Sequence, residues 1–260
     1  MRNILRMNIF RMKRTKMGYI LGGVSVLLTL FIFALNWLLD YGMNTLFYGE
    51  GLIPQVTNIF DSAITQSTSS VGPLLVLMFA MLFLNTVISS GYEKNLIGYQ
   101  GNKFALSGAN IVTVIIYGII LMTVTTSVSI LISGLCYKNA VFEGFGKFMA
   151  YFTVSFVEMI AYCMLIIALC DLGGRYILGM ILGVLYIFYC SLIYQVIDLA
   201  VDVFLHKTIT IENYTLLGAM KSFRLSNSYT DYLISGLIAS LVFVLGYFLD
   251  VYALKKRELK

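Results

Sequence analysis

The chain is organised around residues 90–103, SGYEKNLIGYQGNK, which lie between two long apolar runs at residues 73–89 and 104–135. Each apolar run is long enough to cross the hydrocarbon core of a bilayer, which is about 30 Å thick. The segment between them carries Glu93, Lys94 and Lys103 together with three glycines. Nothing in it resembles a catalytic motif. It is therefore predicted to be a connector on one face of a membrane.

Composition extends the membrane assignment to the whole chain. Of the 260 residues, 59% are hydrophobic and only 12% are charged, and the mean hydropathy is +0.87. A soluble core cannot bury that much apolar sequence, and several runs reach the length that marks a membrane-spanning helix. The sequence predicts an all-α polytopic membrane protein.

We predict a six-helix transmembrane domain at residues 18–250. Residues 104–135 are too long for one straight span, and Ser107, Gly108 and Asn110 suggest that its first turns lie outside the hydrocarbon core. A secretory signal is the rival interpretation of the first run, but that run is longer than usual and no cleavage site follows it. The predicted spans are residues 18–39, 73–89, 104–135, 148–170, 176–197 and 232–249.

Basic residues gather at both ends of the chain. Residues 1–17 are predicted to form an amphipathic helix on an anionic membrane surface, with Leu5, Ile9 and Met12 on its apolar face. Residues 251–260 form a basic tail. The basic residues assigned to the membrane-surface helix are Arg2, Arg6, Arg11, Lys13 and Arg14.

Charge bias predicts the orientation. With both termini inside the cell, the cytoplasmic segments hold 13 of the 18 lysines and arginines, and the first outer loop holds none. Cytoplasmic loops are enriched in these residues, so we predict that both termini face the cytoplasm. The net charge of +5 is attributed to this placement and not to binding of nucleic acid.

Motifs for chemistry are missing from the sequence. The nearest match to a phosphate-binding loop motif is Gly146-Lys147, but Val141 occupies the position of the first glycine of that motif. No zinc-protease or serine-hydrolase motif occurs in the sequence. His206 is the only histidine, and the four cysteines lack the Cys-x-x-Cys spacing. We expect no active site, no bound cofactor and no metal in this chain.

Glu158 is the most conspicuous polar residue, because it lies near the middle of the fourth predicted span. An ionisable group at that depth is costly and suggests a function. Two interpretations remain open: a group that carries a proton or contacts substrate, or a neutral carboxyl that fixes helix packing. Ser155 and Tyr162 share its helical face. With Glu158, the candidates for a substrate pathway are Tyr162, Tyr186, Tyr189 and Tyr194.

Two glycine pairs have the spacing that allows helices to approach closely. They are Gly18 with Gly22, and Gly179 with Gly183. Because glycine is common in membrane helices, the spacing alone is a weak indication.

These features together resemble the membrane subunits of type-2 ABC exporters, particularly bacterial permeases for peptide-antibiotic export and immunity. The resemblance is carried by the basic helix before the first span, by residues 92–97 with 101–103, and by the tail KKRELK at residues 255–260. Asn102-Lys103 stands where the family usually has Ser-Arg, and Asn110 stands where a lysine is expected.

The resemblance implies a mechanism and a set of partners. Two permease subunits, identical or homologous, would form the pathway in the plasma membrane of a bacterial cell, and two copies of a separate ATPase chain would bind ATP and Mg²⁺ beneath them. Substrate would be amphipathic or lipophilic, such as an antimicrobial peptide. The residues that would couple to the ATPase are Glu93, Lys94, Asn95, Gly98, Gly101 and Lys103.

Two other classes of function fit the same topology. One is an ion-coupled secondary transporter that uses Glu158 as its proton carrier, although the paired repeats and broken helices common in such proteins are not evident. The other is a membrane scaffold or sensor subunit that transports nothing.

Overall fold

A computed structural model describes residues 2–48, 58–60, 63, 71–89, 103–137, 141–173, 176–205, 215–216 and 228–257. All regular secondary structure in these ranges is helical, as the apolar runs predict. The long helices are α1 (Arg2–Arg14), α2 (Lys16–Tyr48), α3 (Val71–Ser89), α4 (Lys103–Cys136), α5 (Phe145–Gly173), α6 (Tyr176–Leu205) and α7 (Tyr229–Arg257).

Four of these helices are long and apolar enough to cross a membrane. They correspond to the first, third, fourth and sixth predicted spans and comprise Lys16–Leu39, Phe104–Cys136, Phe145–Gly173 and Tyr229–Lys256. Helix α6 qualifies as a fifth span only if the parts on either side of a 42° bend, Tyr176–Cys190 and Leu192–Val201, are taken together. In α3, Val71–Val87 is apolar but shorter. The second and fifth spans therefore stay predictions.

Helix α5 forms the centre of the bundle. Half of its residues are buried, among them Tyr151, Tyr162 and Ile166, and it contacts α3, α4, α6 and most extensively α7. A helix that is apolar on all sides is expected in such a position, where it meets neighbours all around. Helices α2 and α7 expose more of their surface, as helices that face lipid do.

Glycines allow α6 to approach its neighbours. A Cβ atom on Gly183 would overlap Leu77 of α3 and would lie 2.7 Å from the Tyr162 hydroxyl of α5. A Cβ atom on Gly179 would overlap Cys170 and lie 2.6 Å from Met81 Sδ. The close approach predicted for this glycine pair is confirmed.

The other glycine pair behaves differently. A Cβ atom on Gly18 would make ordinary contacts with Tyr117 and Phe79, at 3.5 and 3.6 Å, and Gly22 has nothing within 4 Å of that position. The predicted close approach is therefore wrong for Gly22, because the spacing of two glycines cannot report whether a neighbouring helix lies over both.

Helix α1 is present as predicted, but its most buried face differs from the predicted one. Ile4, Asn8 and Met12 are buried, while Leu5 and Ile9 are only partly so. Ile4 packs with Leu106 and Ala109 of α4. A helix on a bare membrane surface would turn only apolar residues inward, whereas α1 also buries Asn8, because α4 offers it a hydrogen-bond partner.

Two helices extend beyond the predicted ends of their spans. Helix α2 continues past Leu39 and Asp40 to Tyr48, and α7 continues through Asp250 to Arg257. The described part of the predicted tail is thus helical, because residues 251–257 contain neither proline nor glycine to end the helix.

Candidate functional site

The first polar site is centred on Glu158, which lies in the middle of α5 and is 1% exposed. Its Oε1 atom accepts a hydrogen bond from Ser235 Oγ of α7, at 2.5 Å. A buried carboxyl group without a partner would be strongly destabilising, and the serine offsets part of that cost. The bond also ties together α5 and α7, the two helices with the most extensive contact.

Tyr162 lies one turn along α5 from Glu158 and is fully buried. Its ring lies 5.7 Å from that of Tyr186 on α6, at an angle of 31°. Its hydroxyl has no hydrogen-bond partner among the described residues. Buried hydroxyl groups usually have a hydrogen-bond partner, so an additional hydrogen bond to this oxygen would be favourable.

The remaining two pathway candidates lie on α6. Tyr194 is half-buried and packs against the same apolar core as Tyr186. Tyr189 is 55% exposed on the outside of the chain. The structure therefore brings Tyr162 and Tyr186 together, one turn along α5 from Glu158 in the case of Tyr162, and it leaves Tyr189 exposed on the surface of the described chain.

A second polar cluster lies at the end of the bundle where α1 packs, which we call the α1 end. Asn8 Nδ2 of α1 donates to Asn110 Oδ1 of α4, at 2.9 Å. One turn earlier on α4, Ser107 Oγ donates to Asp250 Oδ2 of α7, at 2.5 Å. These two bonds join α1, α4 and α7.

Sequence reasoning missed this cluster. Ser107 and Asn110 are predicted to lie in turns outside the hydrocarbon core, which stays a prediction, but the sequence does not indicate that Ser107 is buried against α7. Asp250 directly follows the last predicted span, and the sequence does not indicate that it is only 3% exposed. The available signal was the spacing of Ser107 and Asn110 by three residues, which places both on one helical face.

Most of the predicted coupling residues lie outside the described part of the chain, namely Glu93, Lys94, Asn95, Gly98 and Gly101. Lys103 is the first residue of α4, but its side chain is not among those that the structure describes. The segment therefore leads directly into the helix whose first two turns carry Ser107 and Asn110.

The basic residues of α1 differ in their surroundings. Arg2, Arg6, Lys13 and Arg14 are exposed, and Arg14 lies over the ring of Phe10, 5.8 Å from its centroid. Arg11 is partly buried, and its Nη2 atom lies 3.5 Å from the carbonyl oxygen of Thr86 near the end of α3. Helix α1 thus contacts both helices that flank residues 90–102.

Among the described residues, no group of three or more histidine, cysteine, aspartate or glutamate side chains is placed to hold a metal ion. Comparison with protein-family models finds no match, and comparison with curated proteins finds none either.

Proposed function

We propose that this chain is the permease subunit of an ATP-driven exporter in the plasma membrane of a bacterial cell. It would pair with a second permease subunit, identical or homologous, and with a separate ATPase chain that binds ATP and Mg²⁺. The substrate would be amphipathic or lipophilic, such as an antimicrobial peptide. The observation that carries the proposal is the packing of basic helix α1 against the first turns of α4, immediately after the segment that resembles a coupling element.

The contacts at the start of α4 supply a route for mechanical coupling. Asn110 is bonded to α1 and Ser107 to α7. A partner that displaces residues 91–103 would therefore pull on the first turn of α4 and, through these two bonds, on α1 and α7. Helix α7 in turn bonds to Glu158 at the centre of the bundle through Ser235.

The charge distribution supports a cytoplasmic position for the α1 end. With both termini inside, α1, residues 90–103 and the end of α7 share the face that is richest in lysine and arginine. An ATPase in the cytoplasm would reach all three. Charged side chains on a short connector suit docking into a groove of a soluble partner.

The partner is tested by purifying the tagged chain from its native membrane. We expect a stoichiometric second chain that carries a phosphate-binding loop and hydrolyses ATP. Recovery of the chain alone, together with transport driven by an ion gradient without nucleotide, would overturn the proposal.

The coupling segment is tested by the double substitution Glu93→Ala with Lys94→Ala. We expect it to weaken ATPase association or to uncouple hydrolysis from transport, while insertion into the membrane is unchanged. The matched control is Glu143→Ala with Lys147→Ala, which removes the same charges from a segment predicted to lie on the opposite face. Wild-type partner binding and full transport in the first variant would contradict a coupling role.

A second candidate function is an ion-coupled transporter in which Glu158 carries the proton. It is favoured by the burial of this carboxyl group within the bundle and by its hydrogen bond to another helix. The substitution Glu158→Gln keeps the shape but cannot release a proton. Transport that depends on pH in the wild type and loses that dependence in Glu158→Gln would support it, and unchanged transport across pH would reduce Glu158 to a packing role.

A further inference from the structure

An aromatic cluster lies at the end of the bundle opposite α1, where α4 ends and α5 and α7 begin. Its four buried rings are those of Phe60, Phe148, Tyr151 and Tyr232. Three of them belong to α5 and α7, whereas Phe60 comes from residues 58–60, which precede α3 in the chain. Closely packed rings exclude water from the space that they fill. The cluster therefore closes the bundle at this end.

The cluster lies on the same helix faces as the hydrogen bond between Glu158 and Ser235. On α5, Tyr151 precedes Glu158 by two turns of the helix, or about 10 Å, which places both on one face. On α7, Tyr232 precedes Ser235 by about one turn on one face. The rings of Tyr151 and Tyr232 lie 6.3 Å apart, at an angle of 82°. We call this contact between the two helices the α5–α7 seam, and the aromatic pair lies in it between the polar pair and the end of the bundle.

Phe60 covers the seam from outside the two helices. Its ring stacks on that of Phe148, with the centroids 4.7 Å apart and an angle of 27° between the planes. Phe142 and Phe145 also contact it, with centroids 5.8 and 6.0 Å away, and both of these rings are exposed. Phe60 is thus the buried ring at the boundary between the cluster and the surroundings of the protein.

Hydrogen bonds fasten Phe60 to the connection between α4 and α5. The backbone N–H of Ile59 donates to the carbonyl oxygen of Val141, at 3.1 Å, and Asn58 Nδ2 donates to the carbonyl oxygen of Glu143, at 2.9 Å. Asn58 Oδ1 in turn accepts a bond from the backbone N–H of Phe60, at 3.0 Å. Movement of this connection relative to α7 would therefore carry Phe60 away from the seam.

We propose that Phe60 closes the α5–α7 seam, and that water and polar solutes reach Glu158 from this end of the bundle only when residues 58–60 move away. The route would pass Tyr151 and Ser155, which share the face of α5 that carries Glu158. This inference goes beyond both candidate transport functions, because it assigns the point at which access is controlled. It does not rest on the identity of the substrate or of the energy source.

The test measures how fast a cysteine reporter at Ser155 is modified. Ser155 is buried on α5 between Tyr151 and Glu158. The substitution Ser155→Cys is made in the full chain with Cys136→Ser, and the purified protein is placed in lipid nanodiscs, where both faces of the membrane meet water. A charged, water-soluble thiosulfonate is added, and mass spectrometry follows each cysteine. We expect slow modification of the reporter.

Phe60→Ala should accelerate modification of the reporter at least about tenfold, because loss of the buried ring makes the open state more populated. The matched control is Phe142→Ala, which removes an exposed ring that contacts Phe60 and should leave the reporter slow. The native Cys170, which is buried further along α5, is the internal reference and should stay slow throughout.

Equal reporter rates in the Phe60→Ala and Phe142→Ala variants would overturn the proposal. Parallel acceleration at Cys170 would do so too, because it would show that Phe60 stabilises the whole bundle and not this closure. If Phe60→Ala fails to fold, Asn58→Ala takes its place, since it removes the bond to the Glu143 carbonyl and keeps the ring. It should raise the reporter rate alone, and an unchanged rate would refute the closure.

Discussion

Glu158 shows how a single residue can be identified from sequence while its environment cannot. A carboxyl group within an apolar run is conspicuous in any membrane sequence. Its partner, Ser235, lies 77 residues further along the chain, and a serine in a membrane helix carries no special signal. The pairing exists only because α5 and α7 pack together along their length.

The Glu158–Ser235 bond predicts a stability effect. Ser235→Ala leaves the buried carboxyl group without its described partner, so we expect a loss of about 1–3 kcal/mol in the free energy of unfolding. Denaturant-induced unfolding of the purified protein in micelles measures it. The control is Ser240→Ala on the same helix, where the serine is exposed and, among the described residues, donates to the Gly236 carbonyl of its own helix. Equal effects of the two substitutions would show that the bond contributes nothing.

At the scale of elements, α1 is a packed helix with one polar anchor. Its periodicity correctly predicted a helix with an apolar and a basic face. The periodicity did not predict that Asn8 would be fully buried, because an amphipathic pattern assigns an asparagine to the exposed face of a helix. Burial becomes favourable only when Asn110 of α4 accepts its hydrogen bond.

The Asn8 anchor predicts how firmly α1 is held. Asn8→Ala removes the bond to Asn110, and a loss of about 1.4 kcal/mol would make local opening of α1 about tenfold more frequent. Hydrogen exchange of the α1 amides, or tryptic cleavage after Arg6, reports this opening. Asn3→Ala is the matched control because Asn3 is exposed on the same helix. If both variants opened equally, the anchor would have no role.

At the scale of the whole molecule, the distribution of charge predicts the orientation of the bundle in the membrane. The same rule predicts which side of the membrane each helix end faces. Helix α4 is the third predicted span and runs from inside to outside, which assigns its last residue, Cys136, to the outer face. Cys136 is exposed, whereas Cys163 and Cys170 are buried and Cys190 is partly so.

This arrangement predicts the labelling of intact cells. After mild reduction, a membrane-impermeant maleimide should label the protein from outside, and Cys136→Ser should abolish that labelling. Mass spectrometry of the labelled peptide identifies the cysteine. If Cys136 were labelled only in permeabilised cells, the predicted orientation would be wrong. The α1 end would then lie on the outer face of the membrane.

The sequence by itself determined the helical class, the four helices able to cross a membrane and the helical nature of α1. These properties depend on local composition and periodicity, which act over tens of residues. It also indicated Gly179 and Gly183 as sites of close approach.

Only the tertiary structure decided which polar groups meet. The pairs Asn8–Asn110, Ser107–Asp250 and Glu158–Ser235 join positions 77 to 143 residues apart. Whether a polar side chain in an apolar helix faces lipid, water or a partner depends on which helices surround it, and that is a property of packing. The aromatic cluster around Phe60 exists for the same reason, since residues 58–60 meet α5 and α7 there and no local pattern specifies their arrangement.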